Sequence, residues 1–446
     1  MLFEELAFVR EQFPLHDNLH IFNAPIPRQW LKEALELSGS VTLRRRKLPA
    51  EDIVRLVVGM SLMRNESIQS VANLLAFGSK SLNNNLLAAR SSLSNARQRL
   101  GAEPLVWLFN QCADNWATQT QKDDLWNGLQ LFAIDGTTLR TEDTSDCRDG
   151  FGSTNTNTKY QSNYPGVRLT CLMNMRNQLM VRAAVGGFKD SEITMASQML
   201  DVVPDKSVLI MDKLYHSAEL LTHLESNGKE RYWMAPMRKD IKYSVKETYA
   251  ENDLWVEREL SSHARKRCPE LPSKWQFRLI RYQIEGFPPR QISTNLPHEL
   301  YSDADIIKLY HECWNTELGY REIKKGMLNN AITLRSKKAE LVYQEVYGLL
   351  LAYNLVRHEM ALTADVVKLR PSRISFKAAL RVVVYDYYGM ATTGSMQKIP
   401  ARMKDLTDTL KGFILPEPER PDYPRAVKSN FKKYPLKSAK RLKEKP

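Results

Sequence analysis

The sequence predicts a multidomain α/β protein: a helical N-terminal region, a mixed sheet with helices packed on it, a β-rich insertion, and a helical C-terminal region. Three observations carry this. Through the first 125 or so residues apolar positions recur at helical spacing, from Leu129 the pattern changes to short strand-like runs, and after residue 302 long helical stretches return. With 43% hydrophobic and 26% charged residues and only 19 Gly and 21 Pro in 446, the chain has the balance of a folded globular protein. That length supports roughly two to four domains.

The first region, 1–125, reads as a compact helical domain. Its residues 51–63 are densely apolar, and Ser67 and Ser94 are good N-caps for helices over 67–77 and 94–100. Strand-like runs follow at 129–134, 167–175 and 178–186, with the polar loop 149–158 joining the first two. Two more, 208–211 and 232–235, alternate with helical stretches at 191–200 and 216–225. Three strands in succession and then strand, helix, strand describe a mixed sheet, the first part of a core over 126–237. Residues 238–301 are charged and strand-like, with 254–260, 276–284 and 291–294 as strands of an inserted subdomain. Helices over 306–327 and 339–363 return the chain to the core (302–370), and a further helix over 376–388 opens a C-terminal region, 371–446.

Basic residues outnumber acidic ones, 64 to 51, and the net charge of +13 favours a polyanionic partner. The excess is concentrated at the end. From Arg425 to Pro446 nine basic residues face the single acid Glu444, so this tail supplies +8 and the remaining 424 residues only +5. Such a run is either a solubilising tail or a nucleic-acid arm. Earlier in the chain, Arg44-Arg45-Arg46-Lys47 and Arg97-Gln98-Arg99 are basic. A helix presenting Arg97 and Arg99 can enter a DNA groove, where such side chains meet phosphates and base edges, or it can be an ordinary solvated face.

Other classes are disfavoured. Cys112, Cys147, Cys171, Cys268 and Cys313 are widely spaced and form neither a disulfide frame nor a zinc-ligand pattern. The N-terminus lacks a basic segment followed by an apolar signal core, and no apolar run spans a bilayer. The expected compartment is the cytoplasm, with no membrane partner.

Two aspartates occupy matching places after apolar runs, in Ala133-Ile134-Asp135-Gly136-Thr137 and Leu209-Ile210-Met211-Asp212-Lys213. Strand ends deliver side chains to one edge of a sheet, although an Asp there also serves as a turn or helix cap. Farther on, Tyr310, Glu317 and Lys324 stand seven residues apart, nearly two helical turns, so a continuous helix carries phenol, carboxylate and ammonium on one stripe about 20 Å long. Cys313 and Arg321 lie about one turn to either side of Glu317.

The segment Tyr310-His-Glu-Cys-Trp-Asn-Thr-Glu317-Leu-Gly-Tyr-Arg-Glu-Ile-Lys324 resembles the Tyr-x2-Arg-x3-Glu-x6-Lys signature of insertion sequence 4 family transposases. Val41-Thr-Leu-Arg-Arg-Arg-Lys-Leu-Pro49, Ala96-Arg-Gln-Arg-Leu-Gly101, Ala133-Ile-Asp-Gly136, Met211-Asp-Lys213, Ile332-Thr-Leu-Arg-Ser-Lys-Lys338 and Leu350-Leu-Ala-Tyr-Asn-Leu-Val-Arg357 resemble that group too, in the family's order. The resemblance implies a ribonuclease-H-like core and a DNA transposase that cuts element ends and joins them to target DNA. It also implies Asp135, Asp212 and Glu317 as ligands of Mg²⁺ or Mn²⁺, with Tyr310 and Lys324 placing DNA strands. A paired complex is implied as well, a homodimer on two terminal inverted repeats.

The chemistry suits such ligands. Phosphodiester attack needs an activated water or 3′-hydroxyl and a stabilised leaving oxygen, and two divalent ions about 4 Å apart supply both. Carboxylates are the hard donors these ions prefer. Two positions depart from the family pattern: Cys313 stands where the signature has Arg, and Leu214 where a Gly is usual. Arg321, one turn beyond Glu317, is expected to contact DNA and partly to compensate for Cys313, and the rival reading is a DNA-binding relative that recognises ends without cutting.

Overall fold

The computed structural model describes residues 26–40, 48–77, 89–120, 122–153, 164–238, 240–284, 288–312, 315–330, 333–392 and 399–416. The Arg44 to Lys47 cluster, Cys313 and the tail beyond Pro424 lie outside them. Among the described residues five helices come first: α1 (Arg28–Leu37), α2 (Ala50–Leu62), α3 (Ile68–Phe77), α4 (Arg90–Leu100) and α5 (Glu103–Gln119). Ser67 caps α3 as expected, its hydroxyl accepting the Ser70 N–H at 3.0 Å. By contrast, α4 starts four residues before Ser94, so that serine lies inside the helix.

A sheet of nine strands forms the centre, in the order β3-β2-β1-β4-β5-β9-β8-β7-β6. Strands β1 (Gln130–Arg140), β2 (Gly166–Asn174) and β3 (Met180–Gly186) make an antiparallel meander. On the other side of β1 lie β4 (Ser207–Met211) and β5 (Arg231–Pro236), both parallel to it. Meander, then parallel strands joined by helices, is the ribonuclease-H-like arrangement. The β-rich segment contributes β6 (Ser244–Ala250), β7 (Asp253–Glu259), β8 (Lys274–Tyr282) and β9 (Arg290–Thr294). Its last strand pairs antiparallel with β5, so these four strands extend the core sheet.

Helices cover both faces. Short α6 (Ser145–Phe151) follows β1, while α7 (Glu192–Ser197) and α8 (Ala218–Ser226) bury Met195, Ala196, Leu220 and Leu224 beneath Phe132, Ile134 and Leu209. Small α9 (Ser262–Arg267) lies in the β-rich segment, and α10 (Asp303–Glu312) and α11 (Asn315–Arg321) come after it. The opposite face is dominated by α12 (Ala339–Val367), whose 29 residues are buried on almost every side. The chain continues into α13 (Phe376–Thr392) and α14 (Ile399–Lys411).

N-terminal helices α2 and α5 rest directly on α12: Val57, Leu105 and Leu108 share one apolar cluster with Leu350, Leu351 and Val346. A polar latch reinforces this contact. The buried Glu345 carboxylate accepts the Arg335 and Ser336 N–H groups at 2.9 and 2.8 Å and the Arg64 guanidinium at 3.0 Å. Arg335 in turn donates to the Glu66 carbonyl at 2.6 Å, so the Thr-Leu-Arg-Ser run ties the start of α12 to the end of α2. Among the described residues no helix is long and apolar enough to cross a membrane.

Candidate active site

Strand β1 runs past the point foreseen from sequence. Gly136 to Arg140 continue it against β2, because each residue to Arg140 finds a partner down to Gly166. Asp135 is therefore inside the strand rather than after it. What ends there is the parallel ladder with β4, whose last pair is Ile134 with Met211. Next along the two chains come Asp135 and Asp212, about 5 Å apart across neighbouring strands. Burial changes at the same point: β1 is buried from Leu131 to Ile134, and Asp135 to Thr138 are half-exposed.

Each aspartate is held by a backbone amide. Asp135 Oδ1 accepts the Gly136 N–H at 2.8 Å. Asp212 caps the single 3₁₀ turn over Lys213–Tyr215, accepting the Lys213 N–H at 2.6 Å, and is exposed. Consecutive strand residues face opposite ways, and on the far side of β1 the Glu192 carboxylate and Tyr215 hydroxyl close over Gly136. A Cβ there would stand 2.6 Å from Glu192 Oε2 and 3.1 Å from Tyr215 Oη, which explains the Gly after Asp135.

The third carboxylate, Glu317, is carried by α11. Its side chain lies outside the described set, but its backbone is one turn before Tyr320, whose hydroxyl donates to the Asp135 carbonyl at 2.6 Å. Helix and strand are thus docked at Asp135 itself. Among the described residues no three carboxylate, histidine or cysteine side chains converge as a metal cluster. Asp135 is half-exposed and Asp212 exposed, and their carboxylates are hard oxygen donors that suit a divalent cation.

The described residues of the expected helix over 306–327 are helical, but its last part is not α-helical. After α11 the backbone widens into a π-helical turn over Glu322–Met327, with the Leu328 N–H reaching the Ile323 carbonyl five residues back. The turn is fixed from α12: the half-buried Glu322 carboxylate receives the guanidinium of the buried Arg357 and, at 3.3 Å, the Tyr353 hydroxyl. A π turn shifts the angular phase of the helix beyond it, so Lys324 is not on the simple Glu317 stripe. It is half-buried; burial lowers its pKa, and the Asp135 carboxylate partly opposes that shift.

Arg321 is exposed. Tyr310, on α10, is half-buried beside the cluster containing Met175 and Leu309, with the His311 ring edge-on at 6.0 Å. Arg99 is also exposed. Arg97 is not: its guanidinium is buried and donates to Gln344 Oε1 at 2.8 Å, Ser336 Oγ at 3.0 Å and the Leu341 carbonyl at 3.2 Å. This corrects the expectation of a DNA contact, since the side chain ties α4 to α12. Tyr320 and Glu322 were missed in the sequence; an aromatic residue three positions after Glu317, on the same helical face, was the available signal.

Comparison with known proteins agrees with this architecture. Residues 16–110 match the insertion element 4 transposase N-terminal model, and residues 126–355 match the transposase DDE domain. The transposase InsG for insertion sequence element IS4, from Escherichia coli, is 35% identical over 406 residues, covering 91% of each chain. A putative transposase from the same organism, InsZ, is 42% identical over 225 residues, 50% of this chain and 72% of that one. Among solved structures, the piggyBac transposase synaptic complex with hairpin DNA aligns with a TM-score of 0.45 and 11% identity, over 92% of this chain and 87% of that one. With a DDE domain over half its length and an IS4 transposase 35% identical over 91% of it, the chain belongs to the IS4 family of DDE transposases.

Proposed function

We propose that the sheet edge where the parallel β1–β4 ladder ends is the active site of a transposase that cleaves DNA at insertion-sequence ends and joins the freed 3′ ends to target DNA. The observation that carries this reading is the placement of Asp135 and Asp212 side by side at the open end of the parallel ladder, inside the segment matching the DDE domain. With Glu317 from α11 they would form the ligand set for two Mg²⁺ or Mn²⁺ ions. Such ions supply an activated oxygen nucleophile and a stabilised leaving oxygen.

The chain's own residues do the rest. Asp135 and Asp212 present oxygens at fixed strand positions, and the Glu322, Tyr353 and Arg357 network steadies the turn bearing Lys324. Lys324, Arg321 and Tyr310 then contact the DNA strand being cut, and Arg99 contacts DNA from the N-terminal helices. A net charge of +13 supports a polyanionic substrate. The working form is a homodimer pairing two terminal inverted repeats, in the cytoplasm and on the nucleoid when bound. Purified protein incubated with DNA bearing the element's own ends tests this: nicking at the ends with Mg²⁺ and none with chelator is expected. End binding with no nicking in Mg²⁺ or Mn²⁺ would leave a recognition protein only.

A further inference from the structure

Tyr320 is buried, yet it carries a hydroxyl that burial penalises unless it is hydrogen-bonded. Both of its partners lie in the main chain of adjacent strands, β1 and β2. The hydroxyl donates to the Asp135 carbonyl at 2.6 Å and accepts the Cys171 N–H at 3.1 Å. Asp135 and Cys171 face each other in the β1–β2 register, so one phenol grips both members of a single ladder pair.

The neighbouring residue makes this approach possible. A Cβ at Gly319 would stand 3.1 Å from Met180 Cε and 3.3 Å from both Met173 Sδ and Tyr353 Oη, so the glycine lets α11 lie close against these side chains, which would have to give by a few tenths of an ångström for alanine. Helix α11 is seated on β1 and β2, where the Tyr320 hydroxyl ties it to the main chain of both Asp135 and Cys171. Glu317 is one helical turn away on the same face.

We propose that Tyr320 is a positioning residue, whose hydroxyl sets the separation between the Asp135 strand and the Glu317 helix and so governs how tightly the site holds a divalent cation. This rests on the reading of Asp135, Asp212 and Glu317 as ligands. Mg²⁺ demands near-ideal octahedral geometry, and loss of groups that orient metal ligands typically lowers metal affinity by about 10- to 100-fold. Phenylalanine retains the ring and its packing but releases the tether.

The test is Mn²⁺ binding to the full chain, measured by calorimetry without DNA, with thermal melting and end binding in chelator as companion readouts. Tyr347→Phe is a matched control, because that buried hydroxyl also donates to a strand carbonyl, Ala183 at 3.1 Å, away from the site. Tyr320→Phe is expected to weaken Mn²⁺ binding about tenfold, while its melting and end binding match those of Tyr347→Phe. Unchanged Mn²⁺ affinity in Tyr320→Phe, alongside a loss in Glu317→Gln, overturns the tether and leaves the ligand reading standing. Equal losses in Tyr320→Phe and Tyr347→Phe overturn it too, since general loosening then explains both. If Asp135→Asn and Glu317→Gln also bind Mn²⁺ like wild type, the ligand reading fails and takes the tether with it.

Discussion

Replacing Arg97 with Met should unfold the protein more easily without selectively weakening its hold on DNA. The guanidinium makes three inward hydrogen bonds, to Gln344, Ser336 and Leu341. Ser336 Oγ keeps a partner when Arg97 is removed, because it also donates to Glu345 at 2.6 Å. Gln344 Oε1 and the Leu341 carbonyl lose a donor in a buried place, each costing about 1–3 kcal/mol. Removing a buried charge returns part of that, since burial itself pushes the Arg97 pKa down, with Glu345 opposing. A net loss of about 3 kcal/mol is expected, a large share of the 5–15 kcal/mol or so that stabilises a typical domain. Urea unfolding measures it, and end-DNA affinity, corrected for the folded fraction, should stay at the wild-type value. Exposed Arg99→Met is the contrast: stability within about 0.5 kcal/mol and affinity lower by about tenfold. Wild-type stability in Arg97→Met together with an affinity loss like that of Arg99→Met would refute the inward assignment.

Separate features lead to other outcomes. Removing the tail after Pro424 should flatten the dependence of DNA binding on log salt, by up to about 0.9 for each phosphate its charges contact; superimposable slopes would make the tail a solubilising segment. Cys313→Arg restores the family's guanidinium and is expected to raise cleavage or end-complex lifetime by about tenfold, one charge-assisted hydrogen bond; no gain in either would mean the position has adapted to Cys. His216 is packed among Trp233, Trp275 and Phe277, and burial, then Arg258 and Arg238, pull its pKa from 6.5 to about 4. Its neutral form is favoured when folded, so this contribution is complete above pH 6.5 and is lost as pH falls toward 4. Urea unfolding should show wild type losing on the order of 2–3 kcal/mol more than His216→Leu over that interval; parallel losses would exclude His216 as the cause.

Local pattern made the centre of the sheet legible. Runs such as 208–211 are short, apolar and bounded by polar residues, so β4 and the place of Asp212 just beyond it could be read directly. Asp135 was expected just after a strand but lies inside it, because Gly136 to Thr138 carry no strand signal of their own and are held extended by β2. The π turn that follows the Glu317 helix was hidden for a similar reason. It depends on Glu322 meeting Tyr353 and Arg357, some thirty residues later in the chain. Arg97 shows the same limit more sharply. An Arg-Gln-Arg run on a helix looks solvent-facing until α12, about 240 residues away, supplies Gln344 and Leu341.

The most direct test of the three carboxylates is Mg²⁺-dependent cleavage and strand transfer by Asp135→Asn, Asp212→Asn and Glu317→Gln on DNA carrying the element's own ends. A neutral amide binds a hard cation poorly but changes little in shape, so each variant should fold and bind ends as wild type does while cleavage and joining disappear. Nicking at the wild-type rate by any one of the three would contradict its assignment as a metal ligand.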